Sequence, residues 1–161
     1  MRKAFSLIEL IFIIVIIGIL AMVALPKFRG VTANSKVSAE LATASTIQSA
    51  IEDVHSDWIV SESDFSWGNG KTLVNLNDKG YPKQLGECSD NKPFNWILKN
   101  SVTVDSRWEC KKQDSLYIYR GPASKSDSGV NDNGEGKPDS DDCWVYDPEN
   151  GTFELKEGCN I

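Results

Sequence analysis

An acidic side chain inside an oily stretch is the first residue of this chain that calls for a chemical explanation. Glu9 stands within FSLIELIFIIVIIGILAMVAL, the run from Phe5 to Leu25. A charged carboxylate near the centre of a membrane helix costs about 2.5–3.5 kcal/mol, so Glu9 needs a partner of opposite charge or a place at headgroup level. A second group is the segment Ser126–Asp142, SDSGVNDNGEGKPDSDD, which sets six acidic side chains against Lys137. Aligned with the calcium-loop pattern D-x-[DN]-x-[DN]-G-x5-E, it places Asn131, Asn133 and Glu135 at the first three ligand positions. Gly136 follows, Asp139 takes the ninth place and Asp142 the last. Asn131, Glu135 and Asp142 depart from the residue types of the pattern, and strands rather than helices flank it, so an EF-hand is not expected. Oxygen ligands around a glycine still suit a hard cation, and Ca2+ is weighed against a solvated acidic loop.

Four cysteines, Cys88, Cys110, Cys143 and Cys159, have no C-x-x-C spacing, and His55 is the one histidine. A zinc site needs closer ligand pairs. Wide spacing and an even count behind a hydrophobic N-terminus indicate disulfides in an oxidising compartment. Three pairings are open; Cys88 with Cys110 and Cys143 with Cys159 closes the shortest loops and is preferred. His55 has no nucleophile near it in the pattern and is read as structural, close to a helix end where a cation is favoured. No enzyme is expected.

These residues need elements to hold them. As a helix, residues 5–25 extend about 31 Å, enough to cross a bilayer. Arg2 and Lys3 precede the run, and a basic flank stays cytoplasmic, placing the bulk of the chain on the far side. A cleaved secretory signal would end in an A-x-A-like pattern. Two residues before Ala24 stands Met22, and two before Ala21 stands Ile19, both too bulky.

The string Arg2-Lys3-Ala4-Phe5-Ser6-Leu7-Ile8-Glu9-Leu10, followed by an apolar helix with Gly18 and Pro26, resembles the N-terminus of the type IV pilin and type II secretion pseudopilin family. Beyond this region the likeness extends to the order of elements. The resemblance implies that a prepilin peptidase removes residues 1–4, cutting between Ala4 and Phe5, and that the new amine is methylated. Ala4 stands where the family usually has glycine. It further implies that Glu9 of an incoming subunit pairs with the Phe5 amine of its neighbour, an attraction strengthened by a low dielectric, and that the helix from Gly18 to Pro26 loosens on assembly. Major pseudopilins also resemble the acidic loop in having a calcium site in the C-terminal sheet.

After Pro26, which ends or kinks a helix, Val37, Leu41, Ala44, Ile47, Ile51, Val54 and Trp58 recur at helical spacing. Ser38, Glu40, Thr43, Ser45, Thr46, Ser49 and Asp53 are assigned to the opposite, water-facing side. The helix is expected to run to about Ser56. Turn residues dominate 61–93, including Gly68-Asn69-Gly70 and Lys79-Gly80-Tyr81-Pro82. A short helical piece is possible at Phe94–Leu98. Strands are expected at Val102–Trp108, Leu116–Tyr119, Cys143–Asp147 and Thr152–Lys156, the last two joined through Pro148-Glu149-Asn150-Gly151. Trp144, Tyr146, Phe153 and Leu155 then share one face, to be covered by the helix.

The expected fold is α+β: a long N-terminal helix, half membrane segment and half amphipathic, on a small antiparallel sheet with disulfides. Its parts are a leader (1–4), an assembly segment (5–25), an amphipathic segment (26–58) and a head (59–161). The expected protein is a structural subunit of a helical filament anchored in the inner membrane, a pseudopilus or type IV pilus serving protein secretion, DNA uptake or surface attachment. Its partners would be the inner membrane, other pilin subunits, the prepilin peptidase and the assembly platform, with the head in the periplasm and, after assembly, in a filament or at the cell surface. The alternative is a signal-anchored, monomeric periplasmic domain binding calcium or another ligand. The net charge of −6 argues against bulk attraction to nucleic acid.

Overall fold

The computed structural model describes residues 5–61, 66–67, 71–72, 75–132 and 134–159. The leader, the Gly68-Asn69-Gly70 turn and Asn133 lie outside the described residues. In order come α1 (Leu7–Val60), β1 (Ser66–Trp67), β2 (Lys71–Thr72), a 3-10 turn (Cys88–Asp90), α2 (Val102–Asp105), β3 (Glu109–Gln113), β4 (Leu116–Arg120), β5 (Cys143–Asp147) and β6 (Thr152–Lys156). The chain divides into two compact units, Met1–Ser35 and Lys36–Ile161, with α1 contributing to both.

In the first unit, the large apolar side chains from Phe5 to Val31 are solvent-exposed. Their run continues around the helix, so no single face of this unit is built to dock on a core. Gly18 and Pro26 both lie inside α1, which does not end at either. The helix therefore continues through Pro26, as expected of a proline that removes one N–H inside a helix rather than ending it.

The head is a four-stranded antiparallel sheet in the order β3-β4-β5-β6. Ala44, Ile47, Ile51 and Val54 on α1 are buried, as their spacing predicts. Ala44, Ile47 and Ile51 share a core with Tyr117, Tyr119, Trp144, Tyr146 and Phe153 of the sheet. Ile47 and Ile51 are fully covered, each worth about 1.5–3 kcal/mol. In the β5–β6 hairpin, Trp144 lies opposite Leu155 and Tyr146 opposite Phe153, so the four expected residues do share a face. Phe94 lies against the sheet, stacked on Tyr119 at 5.0 Å and edge-on to Trp108 at 5.3 Å. Gly151, at φ +66°, closes the hairpin turn; a Cβ there would lie 2.2 Å from the Tyr81 ring.

Three local expectations need correction. Val102–Trp108 is not a strand: Val102–Asp105 forms the helical turn α2, and the strand begins at Glu109. The reason is Asp105, a buried side chain whose Oδ1 accepts the Phe94 N–H at 2.9 Å. That bond outweighs the strand preference of two valines, one of which, Val102, is 82% exposed. The short helical piece expected at Phe94–Leu98, by contrast, is present as one turn, with the Leu98 N–H donating to Phe94 O. The helix α1 continues to Val60, four residues past the expected end. Glu40, assigned to the water-facing side, is completely buried.

Candidate functional site

Three groups of residues could do chemistry, and each depends on a different element. The first is the start of α1. Ser6 precedes the helix, and its backbone N–H donates to Glu9 Oε2 at 3.1 Å while the Glu9 N–H donates to Ser6 Oγ at 3.3 Å. This is a capping box, in which two of the helix's unpaired N–H groups are satisfied reciprocally. The S-x-x-E spacing ahead of an apolar run could have revealed it in the sequence. Around it Phe5, Leu7 and Ile8 are each more than 70% exposed. Among the described residues, α1 is the one helix long and apolar enough to cross a membrane. Phe5 and Glu9 are thus close in sequence on an uncovered helix start. The Ala4–Phe5 bond lies at the edge of the described residues.

The second group surrounds Glu40. Its Oε2 accepts the backbone N–H groups of Ala123 (2.6 Å) and Ser124 (3.1 Å), and its Oε1 accepts the Trp144 indole N–H at 2.8 Å. One turn earlier on α1, Lys36 Nζ donates to Ser128 O at 2.6 Å. The turn after β4 therefore closes on the helix, and its tightness requires Gly121: a Cβ there would sit 2.5 Å from the Glu40 carboxyl carbon. This group is architectural, joining helix, sheet and loop with three donors around one side chain.

The third is acidic. Asp132, Glu135, Asp139, Asp141, Asp142 and Glu157 line a concavity of about 280 Å3. Ligand oxygens of Asp139, Asp141 and Asp142 lie within 4.8 Å of one another. Of the residues expected to hold a cation, Asp139 and Asp142 are brought together and are buried, and Glu135 lines the same space. Asn131 is exposed and does not line it; Asn133 lies outside the described residues. Asp132, Asp141 and Glu157, which the loop pattern does not single out, also line that space. Glu157 arrives from beyond β6, a position no linear loop pattern contains.

Backbone contacts hold this pocket in shape. The Asp139 N–H donates to Asp142 Oδ2 at 3.1 Å, and the Gly158 N–H donates to Asp142 Oδ1 at 3.3 Å. The Cys159 N–H donates to Asp141 O at 2.7 Å. Disulfides join Cys143 to Cys159 and Cys88 to Cys110, so the first bond carries the chain end back to the pocket while the second ties the 3-10 turn to β3. Carboxylate oxygens at this density suit a hard cation of the calcium type.

His55 takes no part in any of these. Its ring stacks on Tyr81 at 4.2 Å and on Trp58 at 6.0 Å, which makes it a packing residue. Burial, followed by the nearby Tyr146, pushes the Tyr119 hydroxyl well above the ordinary tyrosine range. Burial, followed by Asp147, does the same to Tyr146, whose hydroxyl donates to Pro82 O at 2.6 Å.

No protein-family model and no solved structure matches the chain. It is similar to the type IV major pilin protein PilE1 of Neisseria gonorrhoeae, with 41% identity over 137 residues covering 79% of this chain and 81% of that protein. It is similar to the type IV major fimbrial protein FimA of Dichelobacter nodosus, with 40% identity over 116 residues, 72% of this chain and 69% of that one. A fimbrial protein of Pseudomonas aeruginosa is 28% identical over 131 residues, 68% of this chain and 85% of its own length.

Proposed function

The chain belongs to the type IV pilin family, and from that premise we propose that it is a processed subunit of a membrane-anchored pilus whose stem is assembled through Phe5 and Glu9. Members of this family are structural proteins, and the relatives above carry pilus names, which favours a pilus over a secretion or DNA-uptake pseudopilus. The observation that carries the reading is the helix start: apolar side chains exposed on every side, with a single carboxylate among them.

Such a surface has two stable fates, lipid or other copies of itself. Before assembly, residues 5–25 anchor the subunit in the inner membrane, with Arg2 and Lys3 on the cytoplasmic side and the head in the periplasm, where the disulfides form. The prepilin peptidase cuts between Ala4 and Phe5, and the freed amine is methylated. The positive terminus and Glu9 are each unfavourable alone in an apolar setting. Bringing Glu9 of one copy to the Phe5 amine of the next at the assembly platform neutralises both and sets the axial register. Loosening between Gly18 and Pro26, where a proline leaves one carbonyl without its donor, lets the stems adjust as they pack.

The mass of the mature N-terminal peptide tests processing: a chain beginning at methylated Phe5 is expected, whereas an intact Met1 on a monomeric protein would favour the signal-anchored alternative. Replacing Glu9 with Gln is expected to leave a cleaved, membrane-inserted monomer that forms no filament. Normal filament yield would overturn the pairing.

The acidic pocket supports a Ca2+ ion, with Asp139, Asp141 and Asp142 as ligands and Glu157 joining them from the chain end. Bound there, the ion would offset the mutual repulsion of the carboxylates and stiffen the segment between β4 and β5. Melting of the head at millimolar calcium against chelator decides this: a rise is expected, and an unchanged melting temperature would count against binding.

A further inference from the structure

The capping box at the start of α1 assigns a role to a residue that the family comparison and the pairing scheme leave aside. We propose that Ser6 is the positioning residue for Glu9, holding one carboxylate oxygen on the subunit's own backbone and presenting the other to the incoming amine. The inference rests on the Glu9–Phe5 pairing proposed above.

The geometry divides the two oxygens of Glu9. Oε2 accepts the Ser6 N–H at 3.1 Å, while among the described residues Oε1 accepts no hydrogen bond. The Glu9 N–H donates to Ser6 Oγ at 3.3 Å, so the side chains of Ser6 and Glu9 are each fixed by the other's backbone. In water an N-terminal turn can leave its N–H groups to solvent, but in the apolar surroundings that Phe5, Leu7 and Ile8 make, water is scarce and an unpaired donor is costly. The capping box meets that need for two donors with side chains of the same chain.

The arrangement also suits the waiting subunit. A neutral amide does not cancel the charge of a carboxylate, so Glu9 keeps its attraction for a cation while its side chain is restrained from turning away along the helix. The amine of a neighbouring Phe5 can then approach Oε1 without displacing the Ser6 N–H from Oε2. Less rotamer freedom is lost on pairing because it has been lost already, and this is preorganisation. Ser6 does not touch the amine; it acts through Glu9.

Three variants of the full-length chain separate the roles. Ser6→Ala removes Oγ and keeps the charge of Glu9. Ser6→Thr keeps a hydroxyl of capping quality. Glu9→Gln removes the charge and keeps a side-chain carbonyl that can accept from the Ser6 N–H, since glutamine serves at this position of a capping box.

The first measurement is amide hydrogen exchange at Ser6 and Glu9 in lipid nanodiscs, which needs neither cleavage nor assembly. Ser6→Ala is expected to speed exchange at the Glu9 amide roughly fivefold, as loss of one cap implies; Ser6→Thr should restore it, and Glu9→Gln should leave the Ser6 amide protected. The second is filament yield per cleaved subunit, cleavage being read by mass. Ser6→Ala should lower it several-fold and Ser6→Thr should recover it. Unchanged exchange or unchanged yield in Ser6→Ala, or no recovery in Ser6→Thr, overturns the role of Ser6 and leaves the Glu9–Phe5 pairing standing. Full assembly of Glu9→Gln overturns the pairing itself.

Discussion

Glu9 and Glu40 lie on the same helix and live in opposite ways. Glu9 is an exposed side chain whose one hydrogen-bond donor among the described residues is a backbone N–H three residues away. Glu40 is wholly buried and surrounded by three donors from two other segments of the chain. The comparison shows that a carboxylate in an apolar setting takes its role from who supplies the donors. Where the chain supplies them all, as at Glu40, the group is part of the architecture. Where it supplies one and leaves an oxygen over, as at Glu9, the group is available to a partner.

The sharpest way to break this comparison is to remove each carboxylate in turn from the full-length chain and follow the unfolding of the head. Glu40→Ala leaves the Ala123, Ser124 and Trp144 N–H groups without acceptors, and at about 1–3 kcal/mol for each unsatisfied buried group the head should lose on the order of 3–5 kcal/mol. Glu9→Ala should leave head stability unchanged. Chemical denaturation of the two variants checks both, and equal losses would erase the distinction.

A smaller effect is expected from Gly121→Ala. The added methyl would come 2.5 Å from the Glu40 carboxyl carbon, and because that side chain is held by three hydrogen bonds it cannot swing aside. A loss of about 1–3 kcal/mol is expected, the usual cost of overpacking. A variant as stable as the parent by thermal melting would show that the turn is looser than its contacts suggest.

Alkaline pH sharpens the contrast between the two units with the smallest effect per group. The segment 5–35 has no tyrosine, while burial raises Tyr119 and Tyr146 above the ordinary value in the folded head. For an acid raised by folding, the unfolded chain loses its proton first, so the folded state binds more protons in that window and stability falls as pH rises. Stability should be flat up to the ordinary tyrosine range near pH ~10, then decline by about 1.4 kcal/mol per pH unit for each tyrosine. Denaturation midpoints of the head measured from pH 8 to 11 give the slope. A midpoint that stayed level through pH 11 would mean that neither hydroxyl is raised by burial.

Much of the head could be read from residue order because its signals are local and repeat. The β5–β6 hairpin and its shared aromatic face follow from alternation around Asn150-Gly151. The stripe on α1 follows from its spacing. Polarity assigns Glu40 to water, but position does not: it lies three residues from Val37 and four from Ala44, inside the stripe. Spacing prevailed, since the turn at 121–124 provides the donors that make burial of a carboxylate tolerable. The donors are more than 80 residues away, and nothing local announces them. The acidic pocket was half legible for the same reason. Asp139 and Asp142 belong to one short segment, whereas Glu157 joins them because β6 pairs Lys156 with Cys143 and the Cys143–Cys159 disulfide closes the same end. The capping box is the opposite case, since Ser6 and Glu9 carry the full signal within four residues.

The pairing of stem carboxylate and freed amine is tested most directly inside an assembled filament. Subunits carrying 13C at glutamate carboxyls are mixed with subunits carrying 15N at phenylalanine, so that any dipolar coupling to the terminal amine must cross from one copy to another. A Glu9 carboxyl carbon within about 4 Å of a Phe5 nitrogen, ion-pair range, is the predicted result. A filament that shows no such coupling while its subunits are cleaved and methylated would contradict the account.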